Sequence, residues 1–371
     1  MEPMNYNITK QTLIFYYIHL ETLRTVALIF FILSVTLVIV IYTNTYIKKR
    51  YFLLKIIIQK RMSNWLAEQI AATNEPSSEL PDRIKNILKS NYAKKIITNE
   101  LIVLKNNIQG KEVGNIIRLY EILQLKDSSI KKLYSKKWYV KAKGIHELYT
   151  MDQRDLLKVI YKNTNSTNEL VRTEAQTGIV NMYGFDGLRF LSVISNPITE
   201  WQQIKLLAQL QNQQPSNVFL KKLNEWLRSK NDTVITFCLK IAAIYSIKEA
   251  LPIIHQTCLK HNNAFVRKTA IETLVSFPQQ TETSALKALY KLETKQNKIA
   301  ILTVLRKIGS RNDIQFLKEI VLSEDIDLAK EAMITLLKIA PDMITWKEQL
   351  FVQKNKVTKF TLHALDELAY Q

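Results

Sequence analysis

The chain has 371 residues and carries 52 Lys and Arg against 33 Asp and Glu, a formal net charge of +19. A hydrophobic content of 47% excludes a disordered chain and allows two or three domains or one repeat array. With only 7 Gly and 8 Pro the sequence lacks the turn residues that hairpins consume, so composition alone argues for an all-α protein.

Residues 1–24 form a short tail with two basic residues, Lys10 and Arg24. From Thr25 to Ile47 the chain reads TVALIFFILSVTLVIVIYTNTYI, without a charge. As a helix these 23 residues measure about 35 Å, enough for the ~30 Å of a bilayer's hydrocarbon. Ser34 and Thr36 can bond back to their own helix carbonyls, and Tyr42 and Tyr46 fall where an interfacial aromatic belt would lie. A buried helix of a soluble protein would be unusually long. A signal peptide would carry a short basic n-region, a shorter apolar core and a small-residue cleavage site. The stretch therefore reads as a permanent transmembrane helix.

Lys48, Lys49, Arg50, Lys55, Lys60 and Arg61 follow it, with no acid before Glu68. By the positive-inside rule the N-terminus is outside and the long C-terminal part cytoplasmic, which implies a single pass of a cell inner membrane. Residues 48–73 mix these charges with Phe52, Leu53, Ile56, Ile57, Trp65 and Leu66. They either continue the helix or lie along the headgroups, and the six cations are candidates for contact with an anionic membrane surface. Pro76 and Pro81 mark 74–82 as a linker.

Residues 1–143 hold 23 of the basic and 10 of the acidic residues, so the positive excess lies toward the membrane side. A second basic cluster includes Lys131, Lys132, Lys136 and Lys137, candidates for contact with lipid or with an acidic partner. Nucleic acid would attract the same charges but is disfavoured by their concentration near the anchor.

From residue 83 to the end the chain reads as helical hairpins with an internal period. A small or apolar residue recurs at Gly144, Ala175, Leu206, Cys238, Ala270, Ile301, Ala332 and Ala364, in steps of 31 or 32. Four residues later stand Leu148, Ile179, Leu210, Ala242, Leu274, Leu305, Leu336 and Leu368, all apolar. Four residues earlier stand Val140, Val171, Gln202, Val234, Val266, Asn297, Leu328 and Phe360, apolar in six of the eight. One helix face per unit is thus set aside for burial, and a single unit cannot bury it alone. The last unit, with Asp366 and Glu367, reads as a terminal cap.

Val171-Arg172-Thr173-Glu174-Ala175 after Asn168, and Val266-Arg267-Lys268-Thr269-Ala270 after Asn262 and Asn263, resemble the HEAT repeat. Leu328-Ala329-Lys330-Glu331-Ala332 after Asp325 and Asp327 is similar, whereas the units at Leu206 and Ile301 lack the Arg. The resemblance covers roughly 113–371 and implies an armadillo-like α-α superhelix whose second helices line a concave face. It implies ladder positions at Arg172 and Arg267, which in such arrays more often bridge neighbouring repeats than touch a ligand.

No phosphate-cradling Gly-rich loop occurs, and Gly184-Phe185-Asp186-Gly187 reads as a turn. His146-Glu147 opens like a zinc helix, but Thr150 stands where the second His would be. His19, His255, His261 and His363 do not cluster with acids or thiols at ligand spacing. Cys238 and Cys258 form no C-x-x-C pair and read as reduced thiols. No catalytic residue, metal site, cofactor or small-molecule substrate is expected. The expected function is a non-enzymatic scaffold that presents its helical array to a protein partner in a bacterial cell-envelope process. Two other readings carry different expectations. A DNA-repair-glycosylase-like array would repeat its basic residues along the inner helices, and a bilin-lyase-like enzyme would need a chromophore site, for which no residues stand out.

Overall fold

The computed structural model describes residues 5–72, 79–256, 258–322 and 325–346, with side chains from residue 22 onward except that of Cys258. Every regular element among them is helical. The chain divides into two compact units, Met1–Ser128 and Ser129–Gln371.

In the first unit α1 runs unbroken over Asn5–Ala71. Its 67 residues contain neither Gly nor Pro, so neither a backbone break nor a missing N–H ends it at the Lys48–Arg50 charges. The apolar run and the basic segment after it are therefore one rod, about 100 Å long. It is followed by α2 (Asp82–Leu88), which starts after Pro81, then α3 (Asn91–Asn107) and α4 (Glu112–Ile122). Among the described side chains of α1, only those of its last part form a buried face: Met62, Leu66 and Ile70 are inside with Ile97, Leu101, Ile116 and Leu119. Parallel alignment of α1 and α3 is set by two side-chain bonds with the same offset. Tyr92 Oη donates to the Tyr51 carbonyl at 2.8 Å, and Gln59 Nε2 donates to Glu100 Oε2 at 2.7 Å. Asn115 Nδ2 donates to the Ile70 and Ala72 carbonyls, satisfying acceptors at the end of α1 that have no helical donor. Part of the predicted linker, 73–78, lies outside the described residues.

The second unit alternates short and long helices. After α5 (Leu125–Leu133) come α6 (Trp138–Thr150), α7 (Leu157–Tyr161), α8 (Glu169–Tyr183), α9 (Glu200–Leu210), α10 (Asn217–Trp226) and α11 (Asp232–Ile244). Then follow α12 (Leu251–Gln256), α13 (Ala264–Thr273), α14 (Thr283–Tyr290), α15 (Lys295–Ile308), α16 (Ile314–Val321) and α17 (Ile326–Ile339). The second helices α8, α9, α11, α13, α15 and α17 each begin with an N-cap whose side chain accepts a backbone N–H: Asn168, Thr199, Asn231, Asn263, Thr294 and Asp325. The turn around Gly184 and Gly187 extends into a 3-10 segment, Gly184–Ser192, where other units have a first α-helix. Gly184 sits at φ +57°, and a Cβ on Gly187 would meet the Ile179 carbonyl oxygen at 2.6 Å.

The seven described small or apolar positions, from Gly144 to Ala332, are all buried, and so are the seven positions four residues later. Four residues earlier only Val140 is partly exposed. The two polar exceptions are inside as well, and each ties its unit to the one before. Gln202 Nε2 donates to Thr173 Oγ1, while Asn297 Nδ2 donates to the Ala264 carbonyl at 3.0 Å and to Glu293 Oε2 at 2.7 Å. α6 packs on α8, α8 on α9, α11 on α13, α13 on α15 and α15 on α17. Small residues permit close approach: a Cβ on Gly178 of α8 would stand 2.6 Å from the Tyr149 ring of α6, and one on Gly144 of α6 would stand 2.5 Å from the Leu133 backbone nitrogen of α5. One apolar core runs from Val180 to Leu336. The eighth unit, at Phe360, Ala364 and Leu368, lies outside the described residues.

Candidate functional site

Within α1 every residue from 22 to 57 is exposed, including the whole apolar run Val26–Ile47. Thr36 Oγ1 donates to the Ile32 carbonyl at 2.7 Å and Thr43 Oγ1 to the Ile39 carbonyl at 2.8 Å, so these hydroxyls need no outside partner. The helix is long and apolar enough to cross a membrane by length and composition. Lys48, Lys49, Arg50, Lys55, Lys60 and Arg61 are all exposed on the same rod.

The second basic cluster separates into two kinds of lysine. Lys131, Lys136 and Lys137 are exposed, whereas Lys132 turns inward. Its Nζ lies 2.6 and 2.8 Å from the carboxylate oxygens of Glu147, whose side chain is 0% exposed. Ser129 Oγ donates to the same carboxylate at 2.5 Å, and Lys143 Nζ stands 3.8 Å away. Lys132 thus belongs to a buried ion pair between α5 and α6 and is withdrawn from the surface. In exchange, the cluster gains aromatic residues that charge counting missed: Tyr134, Trp138 and Tyr139 are exposed beside the three outward lysines. Trp138 and Tyr139 meet edge to face, with ring centroids 5.6 Å apart.

Arg172 and Arg267 both hold loops in place. Arg172 is buried, and its Nη1 donates to the Ser166 and Thr167 carbonyls at 2.8 and 3.3 Å. Arg267 Nη1 donates to the His261 and Asn262 carbonyls, and its other two nitrogens grip Glu293 at 2.6 and 3.0 Å. Burial pushes the Glu293 carboxyl up, but Arg267 and Asn297 outweigh it and hold it below the usual range. Arg267 therefore bridges to Glu293 of the following unit, while Arg172 caps its own loop.

A polar cluster that residue-by-residue reading missed lies across α6, α8 and α9. His146 Nδ1 is 2.8 Å from Tyr149 Oη and 3.2 Å from Glu174 Oε2, Tyr149 Oη donates to Glu174 at 3.0 Å, and Lys205 Nζ donates to it at 3.2 Å. Burial pushes the Glu174 carboxyl up, and His146, Lys205 and Tyr149 together pull it below its usual value. Burial, then Glu174, pushes the Tyr149 phenol well above its own range. The repeat register held the signal, since Glu174 and Lys205 each stand one residue before their unit's register residue, Ala175 and Leu206. With its carboxylate fully engaged the cluster is built to tie three helices together.

No group of three His, Cys, Asp or Glu able to hold a metal occurs among the described residues. The Cys238 thiol is buried. A depression of about 760 Å³ lies within the first unit, between α1 and α3.

No protein-family description matches this sequence, and no curated protein does. Among solved structures, the chain is similar to a crystallised engineered protein at 16% identity and a TM-score of 0.35, over 76% of this chain and 87% of that one. A second engineered protein matches at 16% identity and a TM-score of 0.24, over 71% of this chain and 98% of that one. Human deoxyhypusine hydroxylase, solved with glycerol, matches at 11% identity and a TM-score of 0.25, over 68% of this chain and 97% of that one. At these scores the likenesses carry no argument about this chain.

Proposed function

We propose that this protein is a non-catalytic scaffold: α1 crosses a bacterial inner membrane once, N-terminus outside, and carries a HEAT-like α-solenoid that binds a protein partner at the cytoplasmic face. The observation that carries the reading is the register of the second unit. Seven described positions spaced 31 or 32 residues apart are all buried, and five pairs of successive second helices pack on one another. Units that bury their faces only against neighbours form arrays with extended surfaces, and such surfaces suit protein partners. The exposed apolar run of α1 supports the anchor, since 22 consecutive exposed residues from Val26 to Ile47 are unstable in water and stable in lipid. The six cations after it support the orientation, by the positive-inside rule.

Exposed Tyr134, Trp138 and Tyr139 among Lys131, Lys136 and Lys137 make a second surface suited to an anionic headgroup layer or to an acidic partner. Nucleic-acid binding draws little support, because Arg172 and Arg267 are spent on loop carbonyls and Glu293. Affinity capture of the full-length chain from membranes in mild detergent tests the scaffold. A specific protein should travel with it in near-stoichiometric yield, and recovery of the chain alone at its native expression level would refute the reading.

A further inference from the structure

The first unit contains a groove that neither the anchor nor the array explains. It runs along α1 from Ile56 to Ala71, with α3 as its other wall and Glu112 at its far end. At 1.5 Å per residue that is about 22 Å, against the ~15 Å spanned by the lipid chains of one leaflet. Long, apolar and with a volume of about 760 Å³, the groove has room for an unbranched hydrocarbon chain.

The lining has the same preference. Met62, Leu66 and Ile70 of α1 and Ile97 and Leu104 of α3 are aliphatic or thioether walls on helix backbone whose own groups are already bonded. Gln59 and Glu100 bond to each other at 2.7 Å, and the Ser63 hydroxyl donates to the Lys60 carbonyl at 3.2 Å. Along the apolar wall an extended peptide would leave most of its N–H and C=O groups without partners, whereas hydrocarbon loses nothing.

The groove also continues an apolar track. Beyond the span, Tyr51, Phe52, Leu53, Leu54, Ile56 and Ile57 remain exposed on α1 up to the groove's mouth. Lys60 lines that mouth, and Lys55 stands just before Ile56. We propose that the groove between α1 and α3 holds one hydrocarbon chain of an anionic membrane phospholipid, its phosphate meeting Lys60 and Lys55 at the mouth. This rests on the membrane reading only for the source of the ligand; the groove's shape and lining stand apart from it.

The test uses the full-length chain in phosphatidylcholine vesicles with a trace of phosphatidylglycerol carrying a diazirine in its acyl chain. After illumination, labelled residues should fall in 56–71 and 96–108 as well as in 26–47. Ala67→Trp places a ring in the groove from an exposed position that lines it. It should cut groove labelling at least tenfold and leave span labelling unchanged. Lys60→Glu should lower groove labelling by about fivefold, the weight of roughly 1 kcal/mol per basic residue near an anionic surface. Labelling confined to 26–47 overturns the groove and leaves the anchor standing, while loss of label in both overturns both. Groove labelling unchanged in Ala67→Trp, or photoproducts joining two copies across 56–71 in place of lipid, also overturns the proposal.

Discussion

Lys132→Met isolates the energetics of the α5–α6 contact. In the native chain Glu147 is fully buried and is held by Lys132, Ser129 and, at longer range, Lys143. Breaking a buried pair by removing one partner costs about 3–5 kcal/mol, because the remaining charge loses its compensation. Lys132 keeps 18% of its side chain in solvent, and Lys143 at 3.8 Å supplies part of the lost field. Both place the expected cost at the lower end, about 3 kcal/mol. Amide hydrogen exchange on the full-length chain reads this locally: amides in Leu125–Leu133 and Trp138–Thr150 should exchange about 100-fold faster. Lys132→Met with Glu147→Met removes both charges; it takes the acceptor from the Ser129 hydroxyl and the carboxylate from Lys143, whose side chain is 37% exposed to water. The double variant should therefore recover to within about 1 kcal/mol of the native chain. Exchange within threefold of native for Lys132→Met, or a double variant as open as the single one, would refute the buried-pair account.

Asn297→Ala removes two bonds from a buried amide and orphans the Ala264 carbonyl. It should loosen α13 and α15 by about 2 kcal/mol, seen as roughly 30-fold faster exchange in those helices. Glu174 carries a lowered pKa, so its stabilising contribution is complete above its ordinary value of 4.5 and is lost as pH falls through the folded value. Protection of α6, α8 and α9 should therefore drop on acidification below pH 4.5, and Glu174→Gln should flatten that dependence. Reversing Lys131, Lys136 and Lys137 to Glu should weaken binding of the full-length chain to the surface of anionic vesicles at low salt by about 1 kcal/mol or more per site, with little effect on neutral vesicles. The same reversal at Lys132 should instead destabilise the fold, a difference that circular dichroism separates from lost binding.

The repeat register was legible because burial repeats with the chain: a position that must face a neighbour in one unit must do so in the next. Even Gln202 and Asn297, which break the apolar pattern, lie buried on that register. The exposed apolar run of α1 was equally plain, since 23 residues without a charge need no tertiary information. Lys132 was not legible. Nothing local distinguishes it from Lys131, and its inward turn depends on the close approach of α6 that Gly144 permits, which brings Glu147 within reach. The cluster at His146, Tyr149, Glu174 and Lys205 is assembled from three helices, so only the register, applied to polar residues, would have suggested its Glu174–Lys205 part. Whether α1 continued past Arg50 was left open by the sequence, and its lack of Gly and Pro accounts for the unbroken helix, while the groove beside it depends on the parallel packing of α3, which contacts α1 at Tyr92 and Glu100.

The central claim, a rod through the bilayer with the helical array on the cytoplasmic side, is tested most directly by the sidedness of labelling. Asn7→Cys and Leu292→Cys place thiols in the N-terminal tail and at an 85% exposed position of the second unit. In intact cells a membrane-impermeant maleimide should modify the first and reach the second only after permeabilisation, with both chains sedimenting with membranes after alkaline washing. Modification of Leu292→Cys in intact cells, or release of the chain by the alkaline wash, would contradict the account.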